Sequence, residues 1–236
     1  MIYFLKGIIS SLFPQRCAYC AKVIPSDTLV CGECKNNLPR VEGVICPKCG
    51  REKDNCSCKG AETYYTSLAA PFYYSERVRS GLHYFKFRKY SQNAEAYAAE
   101  LSATVSKRFK GVEFDFITEV PMTRKSLKKR GYNQCALLAE KLSEKTGIEY
   151  KSNILKKLYE TEKQHTLSFY LRRGNLTGVF DVSDKMTAEG KTVLLVDDIS
   201  TSGETLNECA KMLWLNGAKE TYCVSVALTK HDKTKK

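Results

Sequence analysis

Val193-Leu-Leu-Val-Asp-Asp-Ile-Ser-Thr-Ser-Gly-Glu-Thr-Leu206 is the stretch that decides the fold of this 236-residue chain. Four apolar residues lead into two aspartates, which predicts a central strand with Asp197 and Asp198 at its carboxyl end. Small and hydroxylated residues with one glycine follow, and a helix is predicted directly after them. Because ligands of open α/β sheets bind at this end, and a helix N-terminus presents N–H groups to anions, the stretch predicts a phosphate cradle. The two carboxylates suit a ligand that also carries ribose hydroxyls.

Three other motifs with a similar beginning do not fit. A P-loop requires Gly-Lys-Ser/Thr after its glycines, and a Rossmann loop requires Gly-x-Gly-x-x-Gly; neither occurs here. A receiver domain can begin with Leu-Val-Asp-Asp, but most of its fold would have to follow, and only 38 residues come after Asp198. These three classes are therefore excluded.

The flanking segments alternate between strand-like and helix-like patterns, which predicts an α/β domain with a mostly parallel sheet flanked by helices. The predicted strands are Ser67–Tyr74, Phe114–Val120, Lys191–Val196 and Thr221–Leu228, and the predicted helices are Glu76–Phe87, Asn93–Lys110, Asn133–Lys145 and Glu204–Leu215. Trp214 is predicted to be a core residue. Between Tyr159 and Thr177 the apolar residues follow neither a helical nor a strand period, so this polar stretch is either disordered or an active-site lid.

Eight of the eleven cysteines lie before Lys59, in close pairs. Two residues between thiols allow both sulfurs to reach one tetrahedral ion, and without an export signal zinc is favoured over disulfides. Residues 16–60 are therefore predicted to form a double zinc ribbon whose folding depends on metal. Sequential pairing is preferred and interleaved pairing stays open. One ion would be held by Cys17, Cys20, Cys31 and Cys34, and the other by Cys46, Cys49, Cys56 and Cys58.

The formal net charge of +12 favours phosphates, nucleic acid or an anionic membrane surface as partners. Eight thiolates and two Zn²⁺ would lower it to about +8 and leave the ribbon nearly neutral. The segment 124–130 holds five cations and is either a solvated turn or, as its place after a strand favours, a phosphate contact. A second cluster of cations and aromatic residues lies between residues 73 and 90. It interleaves Arg77, Arg79, Lys86, Arg88 and Lys89 with Tyr73, Tyr74, Tyr84, Phe85, Phe87 and Tyr90. Single-stranded nucleic-acid grooves have this composition, although half of these aromatic rings are expected in the core.

The two ends of the chain carry weaker signals. The apolar stretch Met1–Phe13 is too short for a bilayer span and is interrupted by Lys6, which argues against a secretory signal. Residues 1–15 are predicted to form an amphipathic helix that either packs on the protein or docks on a membrane surface or partner. Residues 231–236 are a basic tail. The remaining cysteines are predicted to be buried hydrophobes, and His83 has no predicted role.

The motifs and their order resemble a known family. The stretch 193–206 resembles the phosphoribosyl-pyrophosphate signature of type I phosphoribosyltransferases, and its pairing with a cysteine ribbon resembles the ComF (ComFC) family of bacterial competence-associated proteins. Two further pairs of motifs support the resemblance. The first is Val120-Pro121 followed by Lys129-Arg-Gly-Tyr-Asn-Gln134, and the second is Gln164-x-x-Leu167 followed by Gly178-x-Phe180. The resemblance covers Cys17 to Leu228. It implies a type I phosphoribosyltransferase fold over residues 63–230, preceded by the small four-cysteine zinc ribbon module.

The resemblance also implies roles for individual residues. Asp197 and Asp198 would be the catalytic pair that binds the ribose hydroxyls. Arg124 and Arg130 would be counter-charges near the pyrophosphate, with Mg²⁺ bridging the ligand's oxygens. The 5′-phosphate loop would consist of Ser200, Thr201, Ser202, Gly203, Glu204 and Thr205. Glu204 departs from the small residue usual in the family. No residue of 156–173, the natural place for a nucleobase pocket, identifies a base.

The function implied by the resemblance is the handling of single-stranded DNA during natural competence and DNA uptake, with a site for phosphoribosyl pyrophosphate. The implied partners are that ligand, single-stranded DNA and DNA-uptake proteins or a helicase. The implied location is the cytoplasm, and the alternative is a peripheral position at the inner face of the membrane. The alternative function is a metabolic phosphoribosyltransferase that transfers phosphoribose to a nucleobase-like acceptor.

Overall fold

The computed structural model describes residues 14–56, 58, 62–88, 90–159, 178–183 and 187–230. The predictions for residues 1–13 of the N-terminal helix, for residues 160–177 of the lid and for the tail 231–236 lie outside this part of the chain. Within the described residues, every helix is too short or too polar to cross a bilayer.

Helices and strands alternate along the chain as predicted. The helices are α1 (Gly32–Asn37), α2 (Glu76–Phe87), α3 (Asn93–Arg108), α4 (Arg124–Arg130), α5 (Gln134–Thr146) and α6 (Glu204–Leu215). The strands are β1 (Ser67–Ala69), β2 (Phe72–Tyr73), β3 (Phe116–Glu119), β4 (Leu155–Lys157), β5 (Phe180–Val182), β6 (Thr192–Ser200) and β7 (Glu220–Leu228). The bounds of α2 and α6 are those predicted from the sequence.

The main sheet is parallel, with the order β1–β7–β6–β3 and with β2 also beside β7. The predicted single strand Ser67–Tyr74 is therefore two short strands. Pro71 lies between them and has no N–H to give to the ladder. Its carbonyl accepts a hydrogen bond of 2.9 Å from the N–H of Val41, a ribbon residue.

Strand β6 continues four residues beyond its predicted end at Val196. The apolar run ends there, but the ladder with β7 extends to Ser200, which lies opposite Leu228. Asp197 and Asp198 therefore lie inside a strand instead of following it. Successive side chains of a strand point to opposite faces of the sheet, so the two carboxylates leave the backbone in different directions.

Both faces of the sheet are covered. Helices α2, α3 and α5 pack on one face together with the first half of the ribbon, and α6 and the antiparallel pair β4–β5 pack on the other. The prediction of Trp214 as a core residue is wrong, because its side chain is 55% exposed. The buried stripe of α6 contains Leu206, Cys209 and Leu213, and the next position is turned about 100° away from Leu213 at 3.6 residues per turn.

The first half of the ribbon is embedded in the helical face. Tyr19 is fully buried, with its ring 5.6 Å from that of Phe72 and 5.4 Å from that of Tyr97. The hydroxyl of Tyr97 donates to the carbonyl of Ala18 at 2.7 Å. A Cβ at Gly81 in α2 would lie 2.4 Å from the same carbonyl oxygen. This close approach explains a glycine inside a helix, where it otherwise costs about 1 kcal/mol.

Candidate functional site

The two aspartates of the motif are buried, with exposures of 7% for Asp197 and 4% for Asp198. Asp197 Oδ1 accepts a hydrogen bond of 2.8 Å from the N–H of Asp198 and one of 3.4 Å from the thiol of Cys135. Burial raises the pKa of Asp197 to about 7, and the charge of Asp198 contributes to the increase. Cys135 is buried as predicted, but it is also a donor to the site.

Lys86 of α2 belongs to the same site, although the sequence placed it in a surface cluster. Its Nζ lies 2.8 Å from Oδ2 of Asp198, and its side chain is 20% exposed. Burial by itself lowers the pKa of this ammonium, but the charge and hydrogen bond of Asp198 raise the pKa above its usual value. The lysine is therefore charged at neutral pH and neutralises one of the two carboxylates.

The raised pKa of Asp197 predicts a pH-dependent stability. The unfolded pKa is about 3.9, so between about pH 4 and pH 7 the folded state binds more protons than the unfolded state. The free energy of unfolding contributed by this group therefore falls as pH rises through that window. We expect Asp197→Asn to remove this loss, so that the variant gains stability relative to wild type from pH 4 to pH 7 in urea titrations.

Asp115→Asn is the matched control for this measurement. The N–H of Thr192 and the ammonium of Lys191 hold the pKa of Asp115 below its usual value, so this group is ionised in both states above pH 5. The difference between this variant and wild type should therefore be constant from pH 5 to pH 7. An equally constant difference for Asp197→Asn would refute the raised pKa.

Two adjoining cavities share Asp197 and Arg130. The first has a volume of about 350 Å³ and lies between the motif and α2. The second has a volume of about 190 Å³ and lies at the ends of β3 and β4. The first is lined by Tyr74, Leu82, His83, Lys86, Phe87, Arg130, Asp197, Ile199, Ser200, Thr201, Gly203, Thr205 and Leu206. The second is lined by Val120, Pro121, Met122, Thr123, Ser126, Arg130, Asn133, Gln134, Cys135, Lys157 and Asp197.

The predicted phosphate loop lies between β6 and α6. Four of its six predicted residues line the first cavity, whereas Ser202 and Glu204 are outside that lining. Gly203 has a φ of 84°, a left-handed conformation that glycine adopts without strain. A Cβ there would lie 3.1 Å from the hydroxyl of Tyr65. The helix begins at the next residue, so its first N–H groups, which have no partner within a helix, lie at the cavity wall.

The two predicted counter-charges differ in position. Arg130 lines both cavities, hydrogen-bonds the side chain of Gln134 and lies 5.2 Å from the centre of the Phe87 ring. Arg124 is exposed at the start of α4, outside both linings. The segment 124–130, interpreted as a solvated turn or, preferably, a phosphate contact, is the helix α4, which Thr123 caps by accepting the N–H of Ser126 at 3.1 Å. Lys157 lines the second cavity and was not predicted, because a lysine at the end of a short strand carries no local signal.

The predicted basic and aromatic cluster divides into two parts, apart from Lys89, which lies outside the described residues. Arg77 is paired with Glu33 at 2.6 Å and donates to the sulfur of Cys34 at 3.7 Å, so it joins α2 to the ribbon. Phe87 in contrast is 61% exposed at the edge of the first cavity. His83, for which the sequence predicted no role, lines the same cavity with its ring 5.0 Å from that of Phe87.

The eight N-terminal cysteines form two clusters, and in each cluster the four sulfurs lie within 4.8 Å of one another. The grouping is sequential, with Cys17, Cys20, Cys31 and Cys34 in the first cluster and Cys46, Cys49, Cys56 and Cys58 in the second. Zn–S bonds of about 2.3 Å in a tetrahedron place sulfurs about 3.8 Å apart. The Cys20–Cys31 and Cys46–Cys58 separations are 3.7 and 3.6 Å. Four thiols at this spacing, none of them in a disulfide, fit structural zinc.

Comparison with known proteins shows the same two parts. The family model of the double zinc ribbon domain matches residues 8–64, and that of the phosphoribosyl transferase domain matches residues 127–236. The DNA utilization protein YhgH of Salmonella typhi is 30% identical over 205 residues, which cover 86% of this chain and 85% of that protein. Competence protein ComFC of Bacillus subtilis is 27% identical over 206 residues, covering 83% and 82%. Competence protein F of Haemophilus influenzae is 29% identical over 220 residues, covering 89% and 95%. With its double zinc ribbon, its parallel α/β domain and these relatives, the chain belongs to the ComF family of competence and DNA utilization proteins.

Proposed function

We propose that this protein binds a phosphoribosyl pyrophosphate-type ligand and handles single-stranded DNA during DNA uptake. The observation that carries the proposal is the first cavity, in which the exposed ring of Phe87 faces the same space as the phosphate loop and Asp197. The names of the relatives, competence and DNA utilization proteins, support the cellular role. We place the ribbon at residues 16–60 and the ligand-binding domain at residues 63–230.

The ligand would span the two cavities. Asp197 and Asp198 would accept the ribose hydroxyls, and the loop 200–205 with the N-terminus of α6 would hold the 5′-phosphate. Arg130 and Lys157 line the second cavity, so the pyrophosphate would lie there. Arg124, exposed outside both cavities, would attract the ligand only from a distance. Mg²⁺ bound with the ligand would neutralise pyrophosphate oxygens, since Mg²⁺ binds one or two carboxylates together with phosphates.

Single-stranded DNA would bind along the exposed edge of α2. Phe87 offers a ring to a base, and Arg79 and Arg88 are exposed on the same helix and directly after it. Stacking on an aromatic ring contributes about 1–3 kcal/mol per base, and cations beside it follow the backbone. Arg77 and Lys86 are paired with acidic groups of the protein. They would therefore contribute less to DNA binding than the sequence suggested. Residues 1–15 would provide the contact with a membrane or a DNA-uptake or helicase protein at the cytoplasmic side.

Phe87→Ala is expected to weaken the binding of a single-stranded oligonucleotide by about 5- to 150-fold, since one stacked base contributes about 1–3 kcal/mol. Fluorescence anisotropy at low salt measures this. Wild-type affinity should fall steeply with salt, because phosphate contacts release counterions. Trp214→Ala is the control, since Trp214 is also an exposed aromatic residue but lies near the far end of α6, about 15 Å from the loop at 1.5 Å per residue. Undetectable binding by wild type, or equal losses in both variants, would overturn the DNA assignment.

The second candidate is a metabolic phosphoribosyltransferase. It is favoured by the second cavity, which places cations beside Asp197 where a pyrophosphate could leave. An acceptor nitrogen would attack the anomeric carbon as the bond to pyrophosphate breaks, with positioning and charge supplying most of the rate. Pyrophosphate release in the presence of a panel of bases tests this activity, and Asp197→Ala with Asp198→Ala should abolish it. Release that depends on a base and not on DNA would favour this candidate over the first.

A further inference from the structure

Arg51 of the zinc ribbon lies against the predicted phosphate loop, 150 residues away in sequence. The residue is only 2% exposed. Its Nη2 donates to the carbonyl of Thr201 at 2.7 Å, and its Nε donates to the carbonyl of Thr229 at 2.8 Å. Its Nη1 reaches back to the carbonyl of Cys49 at 3.4 Å. One guanidinium thus connects a cysteine of the second cluster, the loop after β6 and the segment after β7.

The hydrogen bond to Thr201 orients the loop. The peptide bonds of the described chain are all trans, and in a trans peptide the C=O of one residue and the N–H of the next point in opposite directions. Holding the Thr201 carbonyl towards Arg51 therefore turns the N–H of Ser202 away from the ribbon. The Thr229 hydroxyl donates to the same carbonyl at 3.2 Å, so two donors fix this peptide plane before any ligand binds.

The charge of Arg51 lies between the second cysteine cluster and the loop. Its guanidinium donates to three carbonyl oxygens and to the hydroxyl of Thr229, and the thiol of Cys49 also accepts a hydrogen bond from it. Four thiolates with one Zn²⁺ would give the cluster a net negative charge beside this cation. Arg51 would therefore stabilise the metal-loaded cluster by its charge and would act on a ligand in the loop through the peptide of Thr201.

The cysteine turn that carries Arg51 is packed firmly on the same region. The N–H of Cys46 donates to the carbonyl of Arg51 at 2.7 Å, so a metal ligand and the arginine share one turn. A Cβ at Gly50 would lie 2.9 Å from the carbonyl oxygen of Leu68. The hydroxyl of Tyr65 donates to the carbonyl of Lys48 at 2.5 Å and also adjoins Gly203. The turn therefore contacts the loop both through Arg51 and through Tyr65.

We infer that Arg51 is a positioning residue through which the second cysteine cluster controls the phosphate loop. Zinc at Cys46, Cys49, Cys56 and Cys58 would fix the turn, Arg51 would carry that order to Thr201, and ligand and zinc would each strengthen the binding of the other. This inference rests on the proposed ligand site. The coupling is reciprocal by thermodynamic necessity, and typical coupling factors are about 5- to 150-fold.

The first measurement is ligand affinity. We expect Arg51→Ala to weaken the binding of phosphoribosyl pyrophosphate with Mg²⁺ by about 5- to 150-fold in calorimetry of the zinc-loaded protein, within the usual range of coupling. Arg51→Lys keeps the charge but not the planar fork of donors, so its loss should be smaller. Arg40→Ala is the matched control. Arg40 is a ribbon arginine that pairs with Glu100 of α3 at 2.9 and 3.0 Å, and its loss should leave the affinity unchanged.

The second measurement is zinc release to a chromogenic chelator, with the phase of the second cluster identified as the one missing in Cys58→Ser. In wild type, ligand should slow this phase and leave the phase of the first cluster unchanged. In Arg51→Lys, which retains the positive charge, the protection should be smaller. A purely structural role of Arg51 would lower stability without changing the ratio of zinc release with and without ligand.

Different results would refute the proposed ligand site and the coupling through Arg51. If wild type does not bind phosphoribosyl pyrophosphate, the proposed ligand site is wrong. If wild type binds it, and the Arg51 variants bind with the same affinity and show the same protection of zinc, the ligand site stands and the coupling through Arg51 is wrong.

Discussion

Replacing Cys34 by serine is expected to remove one zinc ion per chain and to lower the melting temperature by about 10–20 °C. Cys34 is fully buried in the first cluster, and structural zinc binding contributes about 10–16 kcal/mol in small zinc-binding peptides. Loss of about 5 kcal/mol of that energy gives this change at about 2–4 °C per kcal/mol for a chain of this size. The effect should extend beyond the ribbon, because the turn between Cys17 and Cys20, two other ligands of this cluster, carries Tyr19 into the helical core.

Metal analysis and thermal unfolding measure the two effects together. Cys209→Ala is the matched control, since Cys209 is a fully buried cysteine of α6 that belongs to neither cluster. This variant should keep two zinc ions and lose only the stability of one buried thiol. Two zinc ions per chain in Cys34→Ser would contradict the assignment of the first cluster.

The double change Asp197→Asn with Asp198→Asn is expected to weaken the binding of phosphoribosyl pyrophosphate by about 100- to 10,000-fold. Each charged acceptor contributes about 1.5–3 kcal/mol to a hydrogen bond, and each 1.4 kcal/mol is a factor of about ten. The substitution also leaves Lys86 without its acidic partner. Breaking a buried pair in this way costs about 3–5 kcal/mol, so circular dichroism must show that the variant is folded.

The single change Asp197→Asn avoids that difficulty, because it keeps the pair between Lys86 and Asp198 intact. We expect a loss of about 10- to 150-fold in affinity from one charged acceptor. Asp115→Asn removes an aspartate on the surface, where Asp115 pairs with Lys191 at 2.9 Å, and should leave affinity unchanged. Wild-type affinity in Asp197→Asn would show that this carboxylate does not touch the ligand.

The sequence predicted those features that local patterns determine. Helices α2 and α6 begin and end where predicted. An apolar period of 3.6 runs through both, Ser75 precedes α2, and Gly203 and Gly217 flank α6. The spacing of the thiols predicted two four-cysteine sites and favoured their sequential grouping, although it left interleaved pairing open. The parallel sheet follows from alternating elements. The information for each of these helices and each cysteine cluster lies within about twenty residues, whereas the order of elements that predicts the sheet extends from Ser67 to Leu228.

The features that the sequence did not predict depend on distant partners. Strand β6 is longer than its apolar run because β7 supplies a ladder. Lys86 turns inward because Asp198 lies opposite it, and Arg51 is buried because Thr201 and Thr229 accept its hydrogen bonds. A charged residue in a sequence gives no sign of such a partner, so local pattern favours the surface for both cations. The cavity residue His83 was missed for the same reason.

The most direct test of the central claim is the melting temperature of the zinc-loaded protein with and without phosphoribosyl pyrophosphate and Mg²⁺. A ligand that binds only the folded state stabilises it by about 2.7 kcal/mol at 100 times its Kd, which corresponds to about 5–11 °C for a chain of this size. If residues 193–206 form a sugar-phosphate site, the melting temperature should rise by this amount in wild type and by less in Asp197→Asn. No change at millimolar ligand would contradict it.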